Sequence, residues 1–224
     1  MTKSVLNHIQ NSKATNEKLL AILLDPDKTS LEEIPSISKR IEKLAANFIF
    51  VGGSLVQNGK TGFFVKTLKK HTQIPIVLFP GDYSQVTNEA DTLLFLSLLS
   101  GRNPEYLIEQ QIKSVPFLKN STLEIIPTGY ILIEGSTQSS VLKISKTTPI
   151  PQENIELAVA TAIAGMYKGK QLIYLEAGSG AITPVNSKII SEVHKNISIP
   201  LIVGGGIRKK NKYQSLSKMV PIWL

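Results

Sequence analysis

The stretch QLIYLEAGSGAITPVNSKIISEVHKNISIPLIVGGGIR, residues 171–208, decides the architecture. It holds two short apolar runs, LIYLEAG (172–178) and IPLIVGGG (199–206), with the amphipathic segment VNSKIISEVHKN (185–196) between them. Nearly continuous apolar runs mark strands of a parallel sheet covered on both faces, and a helix joining two of them makes a right-handed crossover. Working outward, the same alternation reaches back toward the start. Further strand-like runs lie at 19–25, 48–53, 74–81, 92–99 and 123–134, and helical patterns at 30–46, 62–71, 104–119 and 154–169. Seven strands are one short of a closed eight-stranded barrel, and a doubly wound open sheet is the competing arrangement. Polar and glycine-rich motifs follow strand after strand at the C-terminal ends, where barrel active sites are built. The expected fold is therefore a TIM-type (β/α)8 barrel, one domain over 1–224, with the eighth strand missing or altered. Residues 139–154 are the least regular stretch and read as a lid or an edge excursion.

Composition narrows the classes. The chain has 224 residues, 42% hydrophobic and 19% charged, which suits a sizeable core and not a disordered or collagen-like chain. It contains no cysteine, so disulfides, thiolate metal sites and cysteine nucleophiles are excluded. The polar start MTKSVLNHIQNSKATNEK lacks the apolar run of a secretory signal, and LLFLSLL (93–99) is far too short to span a bilayer. A cytoplasmic protein is expected. The net charge of +8 could serve nucleic acid, anionic lipid or phosphorylated substrates. No RNP-like motif, helix-turn-helix signature or aromatic-interleaved basic stripe is present, so no nucleic-acid partner is expected. RKKNK (208–212) reads first as a solvated helix start.

Four strand ends carry the chemistry. LLDPDK places Asp25 and Asp27 after the first strand, where two carboxylates can hold Mg²⁺ together with substrate phosphates. Capping of the next helix is the plainer use of either, although Thr29 or Ser30 could do that equally well. VGGS after the second strand sets Ser54 beside that position; Gly52 and Gly53 permit close backbone approach, or simply a turn. In YLEAGSGA (174–181) a strand ends in Glu176 and enters Gly178-Ser179-Gly180, whose amides can cradle an anion. Desolvation among apolar neighbours would suit Glu176 to a general-base role; a solvated or salt-bridged glutamate is the alternative. VGGGIR adds Gly204, Gly205 and Gly206 after the next strand, the region where barrels commonly hold phosphate. Two glycine turns on adjacent strands carry more weight than either alone. His8, His71 and His194 lack metal-ligand spacing, and no GxSxG elbow follows a strand.

Taken together, LLDPDK, VGGS, FPG, PTGYILIEG, YLEAGSGA and VGGGIR resemble the geranylgeranylglyceryl phosphate synthase family, including its bacterial heptaprenyl-specific relatives. The resemblance runs in order through nearly the whole chain. The PTGYILIEG and IPQEN stretches look more like the geranylgeranyl group. The resemblance implies a Mg²⁺-dependent prenyltransferase that joins a polyprenyl diphosphate to sn-glycerol 1-phosphate in ether phospholipid biosynthesis. It implies a metal site at Asp25 and Ser54; Lys28 is a candidate to stabilise the charge that grows on the diphosphate. It also implies a substrate site at Tyr174, Leu175, Glu176, Ala177, Gly178, Ser179, Gly180, Gly205 and Gly206, with Glu176 catalytic. Tyr130 is a groove or glycerol contact, or a core aromatic. A homo-oligomer and transient membrane contact are further expectations. The alternatives are a sugar-phosphate isomerase or aldolase, or an inactive barrel that only binds.

The pattern departs from the family after Arg208. Where the family has a helix and a GAD-type eighth strand, this chain reads KKNKYQSLSKMVPIWL. Codons for Met219 to Leu224 can encode Gly-Ala-Asp in another frame, so a frameshifted end is an expectation that sequencing the DNA would test. Trp223 and Ile222 are apolar enough to pack as a substitute strand.

Overall fold

Parallel strands succeed one another around a closed barrel: β1 (Leu19–Leu24), β2 (Phe48–Val51), β3 (Ile76–Leu78), β4 (Thr92–Leu98), β5 (Glu124–Leu132), β6 (Leu172–Glu176), β7 (Leu201–Gly204) and β8 (Ile222–Trp223). The computed structural model describes residues 4–57, 59–135, 140–206 and 222–223. Ile207, Arg208 and the RKKNK cluster lie outside the described residues. The seven strands read from the sequence all form, and the eighth is altered to a two-residue strand. Ile222 pairs with Leu19 and Ile202, and Trp223 with Leu20 and Val203, so the tail takes the place between β7 and β1.

Among the described residues the α-helices are α1 (Val5–Thr15), α2 (Ile34–Lys43), α3 (Lys60–Leu68), α4 (Gln110–Leu118), α5 (Ser140–Ser145), α6 (Ile155–Tyr167) and α7 (Ser187–Asn196). Alternation along each strand sorts the apolar side chains into separate sets. Phe48, Phe50, Val77, Leu94, Leu98, Tyr130 and Tyr174 fill the barrel. Ile49, Val51, Ile76 and Leu78 pack outward on the apolar faces of α2 and α3, and Ile173, Leu175, Leu201 and Val203 pack on α6 and α7. Part of the irregular stretch 139–154 forms α5, and Ile150 bridges to Ile133 at the end of β5.

Helix α1 was not legible as an element in the polar start. It inserts Val5 and Ile9 into the barrel's interior cluster. Its N-terminus is held by Glu124 at the head of β5, which accepts from the amides of Val5 (2.7 Å) and Leu6 (3.2 Å), and from the hydroxyls of Ser4 and Thr92. A carboxylate there satisfies orphan helix amides and opposes the positive end of the helix dipole.

Candidate active site

The strand ends with their glycines and carboxylates share one cavity of about 760 Å³, touched by Asp25, Ser54, Tyr130, Glu176, Ser179, Gly180, Gly205 and Gly206. The turns after β6 and β7 abut directly. A methyl group added at Gly205 would lie 2.7 Å from the carbonyl oxygen of Gly178 and 2.4 Å from Glu176 Oε1. Gly178, Gly180, Gly205 and Gly206 all have positive φ, between 74° and 104°, which only glycine adopts cheaply. Among the described residues, the amides of Ser179, Gly180, Gly205 and Gly206 have no hydrogen-bond partner. Such amides, lining the end of a cavity, form a nest suited to an anion.

Glu176 stands over this nest and is only 5% exposed. Burial raises its carboxyl from the ordinary 4.5 to about 7, against the opposing pull of the Gly178 amide, which donates to Oε1 at 2.6 Å, and of the Tyr174 hydroxyl. The Tyr174 hydroxyl lies beside Glu176 but outside hydrogen-bonding geometry, and its buried oxygen has no partner among the described residues. Tyr174 lies inside the barrel, stacked on Phe79 with ring centres 5.0 Å apart. At Gly204 the absence of a side chain makes room for Tyr174: a Cβ there would come within 2.1 Å of Tyr174 Oη. Leu175 and Ala177 are brought to the same strand end, but strand alternation turns both side chains into the cluster beneath α6 and α7. The Ala177 amide is already given to the Gly204 carbonyl. Tyr130 is both a core aromatic, with its ring centre 5.4 Å from that of Tyr174, and a wall of the cavity.

At the opposite side of the mouth, Asp25 accepts from the Asp27 amide at 3.0 Å and pairs with Lys28 at 2.8 Å. Neither aspartate caps the 3-10 turn Leu31–Glu33 that leads into α2; Ser30 takes that position, its amide donating to Glu33 at 3.1 Å. Asp27 instead accepts from Lys60 and from the amide of Gln57. Among the described residues no group of three acidic or histidine side chains could hold a metal by itself. One carboxylate and one hydroxyl, Asp25 and Ser54, do fit Mg²⁺, which takes one or two protein carboxylates and completes its shell with water and substrate phosphates.

A third region of the cavity is apolar. β3 pairs with β4 only at Val77↔Thr92 and Leu78↔Leu93, whereas β4 continues along β5 to Leu98. The resulting gap lets the cavity pass from the barrel's inner face, at Leu94, Leu96 and Leu98, to its outer face, at Leu93, Phe95 and Ser114 of α4. The carbonyl left free on the β4 edge, that of Leu96, accepts from the side-chain amide of Gln111. The sequence offered no sign of this slot, which arises from unequal strand pairing and not from any motif. The three histidines do not line the cavity; His8 packs edge-on against Phe48.

Known proteins share both sequence and shape with this chain. A geranylgeranylglyceryl phosphate synthase of Zunongwangia profunda is 52% identical over 216 residues, 96% of this chain and 91% of its own length. The crystal structure of (S)-3-O-geranylgeranylglyceryl phosphate synthase from Thermoplasma acidophilum, in complex with sn-glycerol-1-phosphate, superposes with a TM-score of 0.92 at 29% identity, covering 99% of this chain and 90% of that one. The wild-type enzyme of Thermoplasma volcanium gives a TM-score of 0.92 at 33% identity, over 98% of this chain and 88% of that one. The PcrB family model matches residues 12–220, and with relatives of this identity over nearly its full length the chain belongs to that family, the family of the geranylgeranylglyceryl phosphate synthases.

Proposed function

We propose that this chain is a prenyltransferase acting as one phosphate-binding barrel domain. It joins the C1 carbon of geranylgeranyl diphosphate to the C3 hydroxyl of sn-glycerol 1-phosphate, releasing diphosphate and forming the 3-O ether of a lipid precursor. The observation that supports this best is the pair of abutting glycine turns with Glu176 poised over them. The nest takes the phosphate of glycerol phosphate, and the glycerol hydroxyl then lies toward Glu176. A carboxyl near 7 is about half ionised at neutral pH, which suits it to accept the hydroxyl proton as the C–O bond forms. The apolar slot between β3 and β4 accommodates the prenyl chain and keeps water from the developing allylic cation.

Asp25 and Ser54 are the groups in this chain suited to hold Mg²⁺ at the diphosphate end. Bound there, the ion would offset the negative charge that grows on the leaving diphosphate. Among the described residues no helix is long and apolar enough to cross a membrane; a cytoplasmic homo-oligomer that meets membranes transiently fits this reading. An isomerase or aldolase of a sugar phosphate would have no use for the slot.

The test incubates the protein with glycerol 1-phosphate, radiolabelled geranylgeranyl diphosphate and Mg²⁺. An acid-stable lipid ether is expected. Its absence, with protein shown to be folded, overturns the proposal and leaves a barrel that only binds.

A further inference from the structure

The turn that carries Ser54 is held by a residue outside every motif. Gln85 follows β3 in a single 3-10 turn, Tyr83–Gln85, and is 1% exposed. Its side-chain amide donates to the carbonyl of Gly53 at 2.8 Å and accepts from the amide of the same residue at 3.2 Å. One side chain thereby satisfies both backbone groups of one residue, as a neighbouring strand would. The surroundings leave Gly53 no other place. A Cβ on Gly53 would meet Asp25 Oδ2 at 3.0 Å, one on Gly52 the Phe79 carbonyl at 2.0 Å, and one on Gly81 the carbonyls of Gly53 and Ser54 at 2.4 and 2.6 Å. The end of β2 is thus packed backbone to backbone on that of β3 and against the Asp25 side chain that follows β1, and Gln85 is the polar clamp that fixes their spacing.

We infer that Gln85 is a positioning residue for the diphosphate end of the site: it sets Gly53, and with it Ser54, against the Asp25 carboxylate. The inference rests on the reading that Asp25 and Ser54 face the diphosphate. Releasing the clamp frees two backbone groups in a half-buried turn and loosens that pair, while the glycine nest across the mouth stays intact. Loss of affinity is therefore confined to one ligand.

The experiment measures binding by calorimetry, with Mg²⁺ present, of two ligands: geranylgeranyl thiolodiphosphate, whose sulfur bridge resists cleavage, and sn-glycerol 1-phosphate. Gln85→Met keeps the volume and removes both hydrogen bonds; Gln85→Glu keeps an acceptor for the Gly53 amide and removes the donor to its carbonyl. Asp25→Asn is the reference. Both Gln85 variants are expected to weaken the thiolodiphosphate about tenfold, the order expected for one or two lost hydrogen bonds, and to leave glycerol phosphate affinity within about twofold. Equal weakening of both ligands would make Gln85 merely structural and overturns the inference. So does unchanged thiolodiphosphate binding where Asp25→Asn weakens it, and the proposed diphosphate end then stands. If Asp25→Asn also has no effect, the reading of that end falls and the inference with it. Should Gln85→Met fail to fold, Gln85→Glu is judged by the same two affinities.

Discussion

Replacing Glu176 by glutamine separates what the residue does for turnover from what it costs the fold. In the folded protein its carboxyl titrates near 7, against an ordinary 4.5. The folded state thus holds this proton more tightly than the unfolded chain does. The stability it contributes is whole below pH 4.5, declines as pH rises, and is gone above about 7. Converted at about 1.4 kcal/mol per tenfold, the difference amounts to about 3 kcal/mol. Glutamine carries no charge at any pH, and its amide can still accept from Gly178 and reach the unpartnered Tyr174 oxygen. Urea unfolding at pH 5 and pH 8 tests this. Near pH 5 the two proteins should differ by under about 1 kcal/mol, and at pH 8 the variant should be more stable by about 3 kcal/mol. Turnover should move the other way, falling about 10²–10⁴-fold as for loss of a general base, with glycerol phosphate affinity little changed. In the wild type, turnover should climb with pH to about 7 and then level. A variant less stable than wild type at pH 8, or a stability gap that does not widen between the two pH values, would refute the claim that Glu176 is held protonated by burial.

Gly205→Ala places a methyl 2.4 Å from Glu176 Oε1 at a φ of +82°, so glycerol phosphate affinity should fall more than about tenfold while prenyl diphosphate affinity holds; calorimetry decides. Ser114→Phe narrows the slot beside Phe95, and should raise KM for geranylgeranyl diphosphate roughly tenfold while leaving a shorter geranyl donor unaffected, read from initial rates with both donors. Glu124→Ala removes the acceptor for Val5, Leu6, Ser4 and Thr92, and should cost about 2–3 kcal/mol in urea unfolding with KM values unchanged, because α1 lies away from the cavity.

What the sequence made legible was whatever depends on neighbours along the chain. Strands such as LIYLE and FIFV are continuous apolar runs, and a helix of the span 185–196 shows its apolar face at the proper interval. Glycines after successive strands point to one end of a barrel because parallel order places those ends together. Contacts between distant residues were not legible. Gln85 lies in a short turn of ordinary composition, and its role comes from Gly53, 32 residues earlier in the chain. Gly204 looked like the other glycines of its motif, yet its neighbour is the tyrosine Tyr174 of the preceding strand, β6. The slot between β3 and β4 follows from where pairing stops, which no local pattern encodes. Ser4, Val5 and Ile9 did carry a signal: a cap followed by apolar residues four apart. The polar residues between them obscured it.

The charges lining the cavity explain why the two ends of the site need different devices for anionic ligands. Among the described lining residues Asp25, Asp27, Asp82 and Glu176 are acidic, and Lys28 is the one cationic side chain. Lys28 is 72% exposed and already paired with Asp25, so its attraction for a ligand is weak. Side chains alone would therefore repel both a phosphate and a diphosphate. At the end proposed for glycerol phosphate, free amides supply fixed positive dipoles, and burial holds the nearest carboxyl neutral about half the time at pH 7. The same burial thus serves binding, which favours the protonated form, and proton acceptance, which needs the ionised one. A value near neutrality is the compromise between them. At the end proposed for the diphosphate, a divalent cation shared between the Asp25 carboxylate and the ligand is what would turn repulsion into attraction.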